Sequence, residues 1–554
     1  MLYNNIQTAG GHFRPAPATQ QAYSVPASVG GMNALDSVTA MAADECLYCH
    51  NLVPSEYGLR LRRGYREWAR GLGGQSVGTI IPFEGQAKSP DPSKLFAATR
   101  NGIYDVTLSG TVAPVQGVAF VENDNEAGVG VFTEMTNDAG RRVLMYADES
   151  NGLYYYSEDT GLWTRPIFNL SVTPPAGRVA PVAADIVFVV VWKTRLWIVE
   201  RGSGDAWYLQ PSAVEGTVDL FNFGAKLSKG GYVQAIYNWT IDGGAGSDDN
   251  MVVMGSGGDV LIYGGLDPES GPFELIGSFF IGKFPRSRKL AIAYGGELYA
   301  ISTYGVISIR QLLQGVLYEA PSVGPSSKIN RYLREVVALG LDSHSWALHT
   351  YPGDGFMQII APYNADNRAN ALQYQQNLLT QSWGLWRGVP IASAANWKGQ
   401  YIIGTPDGRV VEYTGTLDEA SNFAGALPGV AIEYDVLTSY VAPNGNPTTN
   451  KIVGFIRAKQ ITRASVAATI RAVYDYELTP TLPAGNTPPA DPDGALWDTG
   501  LWDAAVWAGA PGPESSTVGT MGIGRVVAIA MRGQSTERLT FVAWDVAYTE
   551  GTFL

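Results

Sequence analysis

Apolar residues in this chain fall in short strand-length runs, separated by tight-turn pairs, and rarely at helical spacing. Six times such a run ends in a turn pair and restarts with a tyrosine close behind. The pairs are Asn101-Gly102 with Tyr104, Asn151-Gly152 with Tyr154, Gly204-Asp205 with Tyr208, Gly257-Gly258 with Tyr263, Gly295-Gly296 with Tyr299, and Asp407-Gly408 with Tyr413. Asn-Gly, Asp-Gly and Gly-Gly supply the positive φ that two-residue hairpins require. The pattern predicts hairpins joining 95–99 to 103–106, 143–147 to 153–156, 196–200 to 207–209, 251–255 to 260–263, 290–294 to 298–302, and 401–404 to 410–413. A further strand is predicted at 357–361. Hairpins recurring at this spacing over 76–428 are the signature of stacked four-stranded blades, so this region reads as a β-propeller of six to eight blades.

The flanks read differently. Residues 1–28 are rich in Gln, Ala, Pro and Gly without apolar period, and are expected to form a flexible arm. Within 29–75, the positions of Val38, Met41, Glu45 and Tyr48 predict a short helix over 36–52, capped by Asp36 or Ser37 and ended by Asn51 and Pro54. A strand over 58–68 follows, in which Leu59 and Leu61 alternate with Arg60 and Arg62 until Gly64 breaks the run. In 429–554 the strands lengthen, at 431–439, 452–462, 467–476, 526–531 and 539–548, around a Pro-, Gly- and Trp-rich loop over 478–515. This segment reads as a β-sandwich. The fold class is therefore all-β, a propeller with an appended sandwich and a short helix near the N-terminus.

Composition narrows the function. With 16% charged and 45% hydrophobic residues, the chain of 554 residues is folded and long enough for two to four domains. A net charge of −13 argues against a protein whose main affinity is for DNA phosphates. Two cysteines three positions apart provide no disulfide framework. The opening residues show no basic, apolar, small-residue pattern, so a secretory signal is not expected, and the longest apolar run, 186–192, reads as one buried strand, far short of the roughly 20 residues of a membrane span.

Several motifs invite chemistry. Cys46-Leu47-Tyr48-Cys49-His50 matches the haem-attachment spacing, and also offers three zinc ligands, but no second Cys/His cluster accompanies it; only His12, His344 and His349 remain. The plainer reading makes both cysteines small packing residues. Ser157-Glu158-Asp159-Thr160-Gly161-Leu162-Trp163 resembles the Asp-box turn of sialidase-type propellers, which keeps a glycoside hydrolase or sugar binder as the alternative function, although no carboxylate pair stands out. The acidic stretches 122–126 and 242–250 offer oxygen ligands without the spacing of a calcium loop and read as solvated turns. Nucleophile-elbow, phosphate-loop, HExxH and dinucleotide motifs are absent from the sequence, and neither an enzymatic role nor a cofactor is expected. The one basic concentration is Arg60, Arg62, Arg63, Arg66 and Arg70. It suits nucleic acid or, better, acidic surface on a neighbouring subunit.

Two segments carry a family resemblance: Val25-Pro26-Ala27-Ser28-Val29-Gly30-Gly31-Met32-Asn33-Ala34-Leu35-Asp36-Ser37, then Asn51-Leu52-Val53-Pro54 and Leu59-Arg60-Leu61-Arg62-Arg63-Gly64-Tyr65. In this order they resemble the opening of tail nozzle proteins, the tail-tube-B-like virion proteins of short-tailed bacteriophages. Trp497-Asp498, Trp502-Asp503 and the ending Asp545-Val546-Ala547-Tyr548 are similar to that family too. The resemblance implies a non-catalytic tail component of the virion. It would form a homo-hexameric ring below the portal and head-to-tail adaptor protein, next to tail fibre or tail needle proteins. Genomic DNA would pass through the ring without specific binding, and no membrane segment is expected. Arg60, Arg62, Arg63, Gly64, Tyr65 and Arg66 are the interface candidates.

Overall fold

The computed structural model describes residues 20–551, apart from 87–91, 116, 122–125, 172–176, 243–246, 267, 270, 363–371, 424–427, 464–467, 483–493, 496–505 and 508–511. The chain is all-β, with its longest described helix only the ten residues Asn330–Leu339. Two regions are built in different ways.

The first is a succession of seven small, mainly antiparallel sheets among the described residues, the sixth of which (Ala347–Tyr351 to Trp383–Arg387) continues through a parallel bridge at His50 into a layer of the second region. Their leading strands are Val77–Phe83, Gly130–Thr136, Ile186–Trp192, Val233–Asp242, Ala291–Tyr294, Ala347–Tyr351 and Ser393–Trp397. Each leading strand touches the next, and Ser393–Trp397 returns to touch Val77–Phe83, so the contacts form a closed circuit. All six hairpins expected from the turn pairs are present. At Gly295-Gly296 both glycines have positive φ, 60° and 74°, as a primed two-residue turn demands. The strand expected at 357–361 is Phe356–Ile360, between Ala347–Tyr351 and Leu372–Asn377. Sheet faces meet sheet faces here, so strands such as Ile186–Trp192 (IVFVVVW) are nearly continuously apolar. Between the third and fourth sheets, Trp197, Tyr208, Phe221, Phe223, Tyr263 and Phe273 interlock, with ring centroids 4.7–6.3 Å apart.

The second region has two layers. Gly58–Leu61, Leu539–Glu550, Lys451–Thr462 and Gly512–Gly519 lie side by side in one. Glu45–His50, Val430–Thr438, Val527–Ser535 and Ala468–Tyr474 form the other. They share a core containing Tyr434, Phe541, Trp544, Val436 and Ile456. Lys451–Thr462 alternates buried and exposed residues along nearly its whole length, the mark of a strand with one wet face.

The N-terminal expectations need correction. Gln21–Pro26, expected within a flexible arm, is a strand paired in register with Leu539–Glu550, from Gln21 opposite Tyr548 to Pro26 opposite Ala543. Residues 1–19 lie outside the described residues, as do His12, Trp497, Asp498, Trp502 and Asp503. The helix expected over 36–52 is absent: 38–44 are turns and loop, and Glu45–His50 is a strand. Asp36 does not cap a helix because Asn33 captures it. The Asn33 side-chain oxygen accepts from the Leu35 and Asp36 amides, and its Nδ2 donates to Asp36 and Glu45, both at 2.7 Å. The helices lie elsewhere, at Ile309–Leu313 and Asn330–Leu339. Segment 29–75 is not one unit. Its first half joins the two layers, while Tyr65–Arg70 becomes the fourth strand of the seventh sheet, against Val410–Tyr413.

Candidate functional site

The arginine segment sits where these two regions meet. The strand Gly58–Leu61 ends just before Arg62, so alternation is broken there: Leu61 and Arg62 are buried in succession, and the Arg62 side chain is 1% exposed. Its Nη1 and Nη2 donate to the two oxygens of Asp418, each at 2.6 Å, and its Nε donates to Asn51 Oδ1 at 2.9 Å. Burial opposes the charge, but Asp418 outweighs it and holds the guanidinium pKa above its ordinary value. Arg63 donates to Asp354 at 2.7 Å, with Arg60 4.0 Å from the same carboxylate. Arg66 reaches Glu412 at 2.7 Å, and Arg70 pairs with Glu67. Gly64 is where two backbones nearly touch: a Cβ there would lie 1.9 Å from the Leu417 carbonyl oxygen. Tyr65 is buried. The acidic partners expected on a neighbouring subunit are therefore supplied by this chain itself. Arg62, Gly64 and Tyr65 are interior residues, whereas Arg60, Arg63 and Arg66 keep outward-facing heads, 38–43% exposed.

Asn51 organises this seam. It takes φ 59°, a left-handed conformation that asparagine tolerates better than most residues. All its side-chain capacity is used: Nδ2 donates to the carbonyls of Arg387 and Glu433, and Oδ1 accepts from Arg62 Nε and the Arg387 amide. Its amide donates to the Leu385 carbonyl and its carbonyl accepts from the Arg62 amide. One residue thus binds the sixth sheet, both layers and the arginine strand.

Beside it, His50, Arg387 and Asp435 line a cavity of about 320 Å³. His50 Nδ1 contacts Asp435, and Arg387 approaches His50 Nε2 at 3.1 Å and Asp435 at 3.0 Å. Arginine can only donate, so Nε2 is the acceptor and Nδ1 carries the proton toward Asp435. Burial alone would raise the Asp435 pKa, but His50, Arg387 and Arg532 together hold it below the usual carboxylate value. The trio has the look of a His–carboxylate dyad, yet the lone pair a general base needs is taken by Arg387.

Cys46 and Cys49 are fully buried free thiols. A register shift between Cys46 and Tyr48 lets residues three apart on a strand face the same core. Burial first, and the neighbouring Cys49 second, push the Cys46 thiol well above its ordinary value, the opposite of a metal-binding or reactive thiolate. The Asp-box resemblance is a hairpin turn: Gly161 donates to the Ser157 carbonyl at 2.9 Å, and Trp163 is buried beneath it. A larger apolar cavity, about 530 Å³, lies between Met32, Met41, Leu47, Tyr48, Tyr332 and Tyr374. Among the described residues no helix is long and apolar enough to cross a membrane.

Sequence reading singled out the arginines, Asn51 and His50 but missed Asp354, Arg387, Glu412, Asp418 and Asp435. Those five lie about 300 to 390 residues from their partners, with no local motif to signal them.

No family model matches the chain, and no curated protein does. Among solved structures, it is similar to the computationally designed Ika8 protein at 12% identity and TM-score 0.32, over 63% of this chain and 99% of that one. It is similar to the extracellular domain of the putative hybrid two component system BT3049 from B. thetaiotaomicron at 10% identity and TM-score 0.40, over 83% and 57%. It is also similar to BBS1N, solved in complex with ARL6DN, at 14% identity and TM-score 0.27, over 42% and 60%. The chain thus spans less than two thirds of the latter two. Likenesses this low establish neither fold nor function.

Proposed function

We propose that this chain is a structural subunit of a short-tailed bacteriophage tail, a nozzle protein whose six copies ring the DNA-ejection channel below the adaptor. The circuit of seven sheets is a seven-bladed β-propeller on this reading, with Tyr65–Arg70 as the last strand of the seventh blade. The two layers are its β-sandwich, built from both ends of the chain.

One observation carries the reading. The described residues that resemble the nozzle family come from both ends of the sequence, yet they lie at adjoining places in the fold. Val25 and Pro26 pair with Trp544 and Ala543, Ser24 faces Asp545, and Asn51, Arg62, Gly64 and Tyr65 form the seam between propeller and sandwich. Their job is to fix one domain on another, which is what a load-transmitting ring component requires and what a catalyst does not. The acid excess suits a conduit: a lining rich in Lys or Arg, repeated six times, would clamp the duplex.

The test is the oligomeric state and image of the purified protein. Six-fold rings in negative stain, or co-purification with virion tails at six copies, would support the reading. A monomer active on chromogenic glycosides, with activity lost on neutralising a pocket carboxylate, would replace it with the sialidase-type alternative. The ring should also show no measurable duplex-DNA binding at physiological salt.

A further inference from the structure

Away from the seam, three ligand-type side chains converge from segments distant in sequence. Glu126 precedes the leading strand of the second sheet, Glu149 follows that sheet's second strand, and His344 lies on the approach to Ala347–Tyr351 in the sixth sheet. One donor atom from each falls within 4.8 Å of the others. The second and sixth sheets are not neighbours in the contact circuit, so these groups reach each other across it.

His344 is the informative residue. Its side chain is 10% exposed, and neither ring nitrogen makes a hydrogen bond. This holds although Nε2 lies 2.9 Å from Glu126 Oε1 and Nδ1 lies 4.0 Å from Glu149 Oε1. An imidazolium held as an ion pair would aim an N–H at a carboxylate; this ring does not. Two donors each roughly 2.1 Å from one ion stand about 3.0 to 3.4 Å apart, from octahedral to tetrahedral angles, without a hydrogen bond between them. A buried imidazole with unused nitrogens otherwise costs free energy.

The surroundings are built to hold such a ligand set. Arg288 grips Glu149, its Nε donating to Oε2 at 2.5 Å and its Nη2 to Oε1 at 3.2 Å, while its Nη1 donates to the Gln234 carbonyl. Arg201 donates to the Glu149 carbonyl at 2.9 Å. Asp148 fixes the same turn by accepting from the Ser150 and Asn151 amides. Outer contacts that orient a ligating carboxylate in this way are typical of metal sites. Arg201 has its own carboxylate, Asp185, 3.9 Å away, so at the cluster itself two carboxylates face the one guanidinium of Arg288, an excess of negative charge that suits a dication.

We propose that Glu126, Glu149 and His344 bind a first-row divalent transition cation. The imidazole nitrogen selects this class over Ca²⁺ or Mg²⁺, which take all-oxygen shells. With three protein ligands, water completes the coordination. The ion ties the second sheet to the approach of the sixth, and its role is to brace the circuit.

The test uses full-length protein stripped with chelator, then titrated with Zn²⁺ by calorimetry and with Co²⁺ by visible absorption. Expected are one ion per chain, Co²⁺ bands of a nitrogen–oxygen site, and a melting temperature that rises with free Zn²⁺ as mass action requires. Glu126→Gln, at a half-exposed position where folding is safe, and His344→Asn should each weaken binding by roughly tenfold or more. Glu477→Gln, at an outward-facing carboxylate outside the cluster, should not. Absence of binding at micromolar Zn²⁺, or binding unchanged by Glu126→Gln, would overturn the proposal.

Discussion

The circuit of sheets and the two terminal layers are both all-β, but they are specified by different means. In the circuit, hairpin neighbours are close in sequence, and adjacent sheets meet through apolar and aromatic faces. In the terminal layers, strands pair across hundreds of residues, and the junction is held by charged forks and a saturated asparagine. Locally encoded turns need only the right dipeptide. Partners brought together from opposite ends of a chain need a device that rejects other registers. Buried polar groups act this way because misalignment leaves them unsatisfied.

That contrast can be broken from the terminal side first. Arg62→Ala strands Asp418 at the junction without its guanidinium, and the expected loss is about 3–5 kcal/mol. Hydrogen exchange should show it in Glu45–His50 and Val430–Thr438, while Ile186–Trp192 stays protected. Equal loss of protection in both regions would erase the distinction. Arg62→Lys should rescue little, since an ammonium cannot reproduce the fork.

Acid should act on the circuit first. In the sixth sheet, burial, and then neighbouring Lys289, lower the His349 pKa to about 4. The unfolded chain therefore takes up this proton earlier. His349's contribution is whole above about pH 6.5 and is lost as pH falls through 4, a change of about 3 kcal/mol. Asp435 in the seam is shifted below its ordinary value, so its contribution is lost only at still lower pH. Burial lifts Asp148 to about 6, which works the other way over the same range in both proteins, so the readout is a difference: from pH 7 to 4 the melting temperature of the wild type should fall relative to that of His349→Asn, and parallel profiles refute the assignment.

Smaller effects sharpen the comparison. Gly296→Ala forces a Cβ into a left-handed turn position, and about 1–2 kcal/mol should be lost, confined to the fifth sheet. Lys94→Ala removes an outward pair with Asp105 in the first sheet, and urea unfolding should shift by less than about 1 kcal/mol.

The same division explains what could be read in advance. Gly295-Gly296 and Asn151-Gly152 announce their hairpins because turn chemistry is local, and the long C-terminal strands announce themselves by alternation. The helix expected over 36–52 failed because its period was real but Asn33 and the strand Val430–Thr438 offered Asp36 and the following residues better partners. Arg62 was visible as chemistry, but Asp418 was not visible as its partner, 356 residues on. His344 looked like a solitary histidine because Glu126 and Glu149 reach it only through the fold.

The pairing of Gln21–Pro26 with Leu539–Glu550 also sets a timetable. Tyr548 Oη donates to Gln21 Oε1 across 527 residues. At about 5–20 residues per second, Gln21–Pro26, once out of the ribosome, waits on the order of a minute for its neighbour. Throughout that interval its backbone donors and acceptors are open to any passing edge. The circuit faces a shorter form of the same delay, because Tyr65–Arg70 meets Val410–Tyr413 only when most of the chain is made. Nascent chains of this protein should therefore be prominent clients of ribosome-associated chaperones, and heavy expression without them should yield tangled, edge-paired aggregates.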